Sequence, residues 1–140
     1  MSCALVWFRK SLRIEDNPAL FDASNQTDIS YLLPIYIIDP MVVGKDFQHY
    51  SPSRTLFLLE SLEDLNQQLQ KKYNSQLFIL EGNPSEILPS LSRTLKSPPS
   101  LLSTEYCSEP WGRKLSKQVE QICSDQATKV SFHQNSHTLL

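Results

Sequence analysis

An open α/β domain with a five-stranded, mainly parallel sheet is what this sequence predicts, and three observations predict it. Short apolar runs alternate along the chain with segments whose leucines recur every three or four residues. The first run, residues 4–8, is almost uninterrupted, the pattern of a strand buried on both faces by crossover helices. A polar residue followed by proline recurs ahead of the helical segments, at Asn17-Pro18, Ser51-Pro52 and Asn83-Pro84. There a proline forfeits only an amide that would be unpaired anyway. With 140 residues, 40% of them hydrophobic, the chain suits one domain around one core.

The elements follow in order. Residues 4–8 are a central strand, after which Asp16 or Asn17 caps a helix with Pro18 in its first turn. Residues 31–38, rich in β-branched and aromatic side chains, form the second strand, which Asp39-Pro40 ends. A polar loop runs to Tyr50. Ser51-Pro52 then opens the longest helix, 52–72, with Leu58, Leu62, Leu65 and Leu69 on one face. Residues 77–80 are the third strand, and Gly82-Asn83-Pro84 turns the chain into a helix carrying Ile87, Leu91 and Leu95. Past Pro98-Pro99, residues 100–104 form the fourth strand. Glu109-Pro110 opens a fourth helix with Trp111, Leu115, Val119 and Ile122 on its buried side, and residues 128–133 are the fifth strand. Parallel strands joined by helices need right-handed crossovers, so helices cover both faces. Ending at Leu140, just after the fifth strand, the chain is expected to be cut at a domain boundary.

Charge and composition narrow the function. The formal net charge is −2 and the isoelectric point about 5.9, not the strongly basic balance of an autonomous nucleic-acid binder. The longest apolar stretch, 31–38, is far short of the roughly 20 residues that cross a bilayer. No charged-then-apolar leader opens the chain, so a soluble intracellular protein, nuclear or cytoplasmic, is expected. Cys3, Cys107 and Cys123 are odd in number and lack CxxC spacing, which reads as reduced, buried thiols.

Ligands of open α/β sheets lie beyond the carboxyl ends of the strands, near the reversal of strand order. The loops 9–17, 39–50, 81–84 and 104–113 therefore frame the expected crevice. Their polar residues are of mixed sign: Arg9, Lys10, Arg13, Asp39, Glu81, Glu105, Ser108, Glu109 and Arg113. Only Gly44, Gly82 and Gly112 are available, and none belongs to the glycine motifs through which backbone amides approach a pyrophosphate. No GxSxG elbow is present either. His133 and His137 fall at a strand end and its loop, so their spacing of four carries no helical metal site. Glu63-Asp64 reads as a solvated helix face. Arg9-Lys10-x-x-Arg13 has two readings: pairing of an arginine with Asp16 or Asp39 to hold loops together, or recognition of an anion or chromophore.

Several segments resemble one family. Leu5-Val-Trp-Phe-Arg-Lys-Ser-Leu-Arg-Ile-Glu-Asp-Asn-Pro-Ala-Leu20 is similar to the opening strand and loop of photolyases and cryptochromes. It is followed in order by Arg54-Thr-Leu-Phe-Leu-Leu-Glu-Ser-Leu-Glu-Asp-Leu65, Leu77-Phe-Ile-Leu-Glu-Gly-Asn-Pro84, Glu105-Tyr-Cys-Ser-Glu-Pro-Trp-Gly-Arg-Lys114 and Ser136-His-Thr-Leu139. The Phe-Arg-Lys-Ser-Leu-Arg and Ser-Glu-Pro-Trp-Gly-Arg-Lys runs resemble the animal cryptochrome and (6-4) photolyase branch most. Glu15 stands where that branch commonly has histidine, and Leu140 where tyrosine often follows.

The resemblance implies a blue-light flavoprotein whose amino-terminal α/β domain can hold an antenna pigment, a reduced folate or a deazaflavin, that passes excitation to FAD. It assigns FAD, the electron-transfer tryptophans and the DNA-lesion pocket to a helical carboxyl-terminal domain whose residues are not among these 140. Glu109 matches an acidic residue that contacts the folate antenna in some members, with Ser108 beside it where those members have asparagine; its other reading is an acidic first-turn residue favourable to the helix dipole. The antenna crevice thus draws on Arg9, Lys10, Arg13, Ser108 and Glu109. Two functions follow: a photolyase or cryptochrome domain not competent for photorepair alone, or a stand-alone module binding a nucleotide-like ligand or a protein partner in signalling or circadian regulation. A face that once sealed against a flavin domain is expected to leave apolar surface exposed.

Overall fold

The computed structural model describes residues 3–9, 12–38, 52–95, 99–105, 110–126 and 128–133. Strands β1 (Cys3–Phe8), β2 (Tyr31–Ile38), β3 (Phe78–Glu81), β4 (Leu101–Glu105) and β5 (Lys129–His133) alternate with helices α1 (Pro18–Ser24), α2 (Pro52–Tyr73), α3 (Pro84–Thr94) and α4 (Pro110–Asp125). The sheet order is β3-β2-β1-β4-β5 and every neighbouring pair is parallel, so the sheet is all-parallel rather than mainly so. The chain builds outward from β1 to β3, then returns to lay β4 and β5 on the other side of β1. Right-handed crossovers in those opposite directions put the first two helices and the last two on opposite faces.

The core divides accordingly. Ala4, Val6 and Phe8 of β1 pack with Leu20 and Ala23 of α1 and with Leu62, Leu65 and Leu69 of α2. Leu5 and Trp7 face the other way, onto Leu88 of α3 and Val119 and Cys123 of α4. All six residues of β1 are buried, as the apolar run predicts for a strand without a solvated side.

Local chemistry sets the helix starts. Asn17 caps α1, its Oδ1 accepting from the Leu20 N–H at 3.2 Å. The preceding Asp16 has φ 50, a left-handed turn that asparagine and aspartate tolerate. Asn83 caps α3 by accepting from Ser85 N–H at 3.0 Å. Gly82 has φ +144, and an added Cβ would sit 3.1 Å from Ile87 Cδ1, so only glycine serves there. Asp39-Pro40, Ser51, Cys107 and Pro98 lie outside the described residues.

Several expectations shift. Strands β3 and β4 run one residue later than predicted, to Glu81 and Glu105, β1 begins at Cys3, and β5 begins at Lys129. Hydrogen bonding to a neighbour decides those ends, and Thr128 instead turns its hydroxyl to Pro99 O at 2.8 Å. Leu95 is the C-cap of α3 rather than part of its buried stripe, and Leu88, 3% exposed, takes the central place. In α4 Ser116, Val119 and Cys123 are buried and half-buried Leu115 packs against that cluster, whereas Ile122, also half-buried, is not among its residues; the Trp111 side chain lies outside the described ones. No helix among the described residues is long and apolar enough to cross a membrane.

Replacing Leu65, fully buried, by alanine is expected to cost about 2–5 kcal/mol in urea unfolding, against less than about 0.5 kcal/mol for alanine at exposed Leu56. Alkaline pH should destabilise the fold through the thiols. Burial pushes the Cys123 thiol up from an ordinary 9.0 to about 11, and burial likewise raises Cys3 despite its hydrogen bond with Tyr31. The unfolded thiol therefore loses its proton first. Stability is full below about pH 8 and declines as pH rises from about 9 to about 11, by about 2–3 kcal/mol for Cys123. Urea midpoints across that range should fall less steeply in Cys123→Ala, and an identical slope would refute the assignment.

Candidate functional site

The reversal of strand order lies between β2 and β4, on either side of β1, and the carboxyl ends of β1 and β4 open a crevice there. It has a volume of about 310 Å3 counting the space open to solvent. Trp7, Arg9, Asn17, Glu105 and His133 are its principal lining residues.

Two hydroxyls hold its walls together. Thr104 Oγ1 donates to Trp7 O at 2.8 Å, tying the end of β4 to the end of β1. Ser103 Oγ donates to Ala19 O at 2.7 Å, tying β4 to the first turn of α1. Both side chains are buried, so each hydroxyl offsets its burial by bonding a carbonyl on a distant element.

Arg9 is the first residue past the buried strand. Two positions after Trp7, it shares that residue's side of the strand, and its guanidinium lies 4.7 Å from the indole centroid. Nη1 also reaches Glu105 O at 3.5 Å and Ser116 Oγ of α4 at 3.4 Å, both long contacts. A weakly hydrated planar cation suits this half-buried stacked position better than an ammonium would.

Arg13 behaves differently. Its Nε donates to Glu15 O and its Nη2 to Asp16 O, each at 3.0 Å, with the Asp16 carboxylate 3.9 Å away. Asn17 Nδ2 closes the same turn by donating to Arg13 O at 2.9 Å. Of the two readings of the arginine cluster, loop pairing describes Arg13, through Asp16, while Arg9 turns into the crevice. Lys10, Asp39, Ser108 and Glu109 lie outside the described residues. Glu81 and Arg113 are exposed and do not line the crevice, and Glu63 and Asp64 are exposed on α2.

His133 belongs to the lining through register, because it pairs with Glu105 across β4 and β5. Its Nε2 lies 3.3 Å from Asp22 Oδ2 of α1, without the geometry of a hydrogen bond. His137 is outside the described residues, and no group of three or more potential metal ligands occurs among the described ones. Trp7, Asn17 and His133 as lining, and Ser103 and Thr104 as ties, escape a reading of the sequence alone. The signal available was the i, i+2 spacing of Trp7 and Arg9. The site combines a guanidinium stacked on a buried indole with a carboxylate and an imidazole, a set suited to holding a polar ligand.

Comparison with known proteins gives the context. The family pattern described as DNA photolyase matches residues 4–140. The (6-4)DNA photolyase of Arabidopsis thaliana is 38% identical over 145 aligned residues, covering 99% of this chain and 25% of that protein. Cryptochrome-1 of Erithacus rubecula is 37% identical over 136, covering 97% and 21% respectively. The chain thus spans a quarter or less of the length of these curated relatives. Among solved structures, an archaeal photolyase from Sulfolobus tokodaii superposes with a TM-score of 0.80 at 21% identity, covering 94% of this chain and 29% of that one. A cryptochrome of Synechocystis sp. PCC6803 gives 0.81 at 20% identity, covering 96% and 27%. The matched pattern, the relatives and the shared all-parallel sheet lead to one conclusion: this chain belongs to the DNA photolyase family, as a counterpart of the amino-terminal α/β domain of photolyases and cryptochromes.

Proposed function

We propose that this chain is the α/β part of a blue-light flavoprotein and that its crevice receives an antenna pigment, a reduced folate or a deazaflavin. The observation that carries the reading is the stacked Trp7–Arg9 pair lining a crevice at the strand-order reversal, where α/β sheets hold their ligands. The crevice is shallow and open to solvent, so a pigment would lie across its mouth rather than fill an enclosed pocket.

When bound, the pigment would supply light absorption and transfer of excitation. The chain's own residues would bind and orient it. Trp7, buried at 4% exposure, would hold the Arg9 guanidinium in place over its ring. Arg9 would turn its guanidinium toward an anionic edge or tail in addition to its contacts with Trp7, Glu105 O and Ser116, and the Glu105 carboxylate would accept from a ring N–H. Glu109 would add a carboxylate from the amino end of α4. FAD and a lesion base would be held by a helical domain outside these 140 residues, so the chain alone is not competent for photorepair. The archaeal relative from Sulfolobus tokodaii is described with two FAD molecules and a light-harvesting cofactor, which makes FAD itself the third pigment to test.

A second reading, a protein-binding module in signalling, is favoured by Leu56, Phe57 and Leu59 on α2, exposed by 58%, 71% and 49%. Pigment titration separates the two. Saturable changes in absorption and quenching of tryptophan emission on adding a reduced folate, a deazaflavin or FAD are expected for the antenna reading. Arg9→Ala should weaken that binding about tenfold, the size of one lost charge-assisted contact. The same variant should cost less than about 1 kcal/mol in stability, since its stacking contact is partly exposed. Absence of binding by all three pigments would reject the antenna and leave the protein-binding module.

A further inference from the structure

We propose that the free edge of β3 pairs with β3 of a second copy, joining two sheets into one across a twofold axis. This goes beyond the antenna reading and does not depend on it. Among the described residues β3 is an edge strand, next only to β2. Its side chains alternate between the two faces: Phe78 and Leu80 share the face of Ile35 and Ile37, and Ile79 takes that of Tyr36. Phe78 is 45% and Ile79 46% exposed, so the strand is underburied on both faces at once. A helix laid on one face could cover one of them. An added strand covers both.

The backbone is oriented for that addition. Gly82 N–H donates to Ile38 O at 2.9 Å, and amides alternate sides along an extended chain. Phe78 and Leu80 therefore also turn their N–H and C=O toward β2, while Ile79 and Glu81 present theirs to the free edge. Within Phe78–Glu81 there is no proline or lysine, two of the residues that usually blunt a sheet edge.

Charge selects a second copy, running antiparallel. The chain enters β3 from the last turn of α2, which carries exposed Lys71 and Lys72. It leaves through exposed Glu81 into the first turn of α3, which carries exposed Glu86. An antiparallel twofold brings the basic end of each β3 beside the acidic end of the other, twice. With Ile79 on the axis, Phe78 of each copy lies across from Leu80 of the other, on the same face. Both copies spend the same edge, so the assembly closes at two.

Four residues make a small interface against the roughly 800 Å2 per partner of stable complexes, so the dimer is weak and forms over roughly 0.01–1 mM. Sedimentation equilibrium of the chain should show monomer passing to dimer across that range, less readily at high salt. Ile79→Pro removes an outward amide while sparing the β2–β3 ladder, and Ile79→Lys places a charge on the edge. Each should stay monomeric with an unchanged circular dichroism spectrum and melting temperature. Hydrogen exchange of the unmodified chain decides the matter even if those variants misfold: the Ile79 and Glu81 amides should slow several-fold at high concentration, with Phe78 and Leu80 unchanged. A monomer at about 1 mM, a dimer that Ile79→Pro leaves intact, or edge amides protected only by an added extended peptide would each overturn the proposal.

Discussion

The fold depends on a strand that has no wet side. All six residues of β1 are buried, and each face carries a different half of the core. A strand in that position cannot be an edge. It needs a hydrogen-bonded neighbour on each side, and here both neighbours are parallel, so each is reached by a crossover through a helix. Covering both faces then requires that the chain build away from β1 in one direction and come back in the other. The reversal leaves the carboxyl ends of β1 and β4 adjacent but without a helix bridging them directly, and that is where the crevice opens.

The same constraint governs the charges next to the site. Arg9 emerges where full burial ends, and its guanidinium is tolerated at that boundary because it stacks on Trp7 and points a nitrogen at the Glu105 carbonyl and the Ser116 hydroxyl. Thr104 and Ser103 solve the corresponding problem for the walls, turning buried hydroxyls onto carbonyls of β1 and α1. Four of the five contacts link elements far apart in the chain.

How legible this was in the sequence follows from how local each determinant is. The apolar run of β1, the leucine stripe of α2 and the asparagine caps are encoded within a few residues, and they predicted the element order correctly. Strand ends moved by a residue because they depend on a ladder partner elsewhere in the chain. Ser103 and Thr104 gave no local sign of acting as ties, since their acceptors stand 84 and 97 residues away. His133 gave no sign of facing Asp22, because that proximity exists only once β5 lies beside β4. Arg13 is the opposite case: its partners are two and three residues on, and the local reading of it was available from the start.

Lengths explain why one end of the domain is apolar. Helix α2 has 22 residues and is about 33 Å long, whereas six-residue β1 spans about 20 Å. The helix cannot be covered by the sheet along its whole length. Its buried stripe, Leu62, Leu65 and Leu69, sits in the later half, so the overhang is at the start, where Leu56, Phe57 and Leu59 project. Because α2 begins after the carboxyl end of β2 and runs back antiparallel to the strands, that overhang stands at the same end of the sheet as the crevice. A mixed-charge crevice and an apolar ridge therefore share one end of the molecule, and a surface large enough to cover one of them will meet the other.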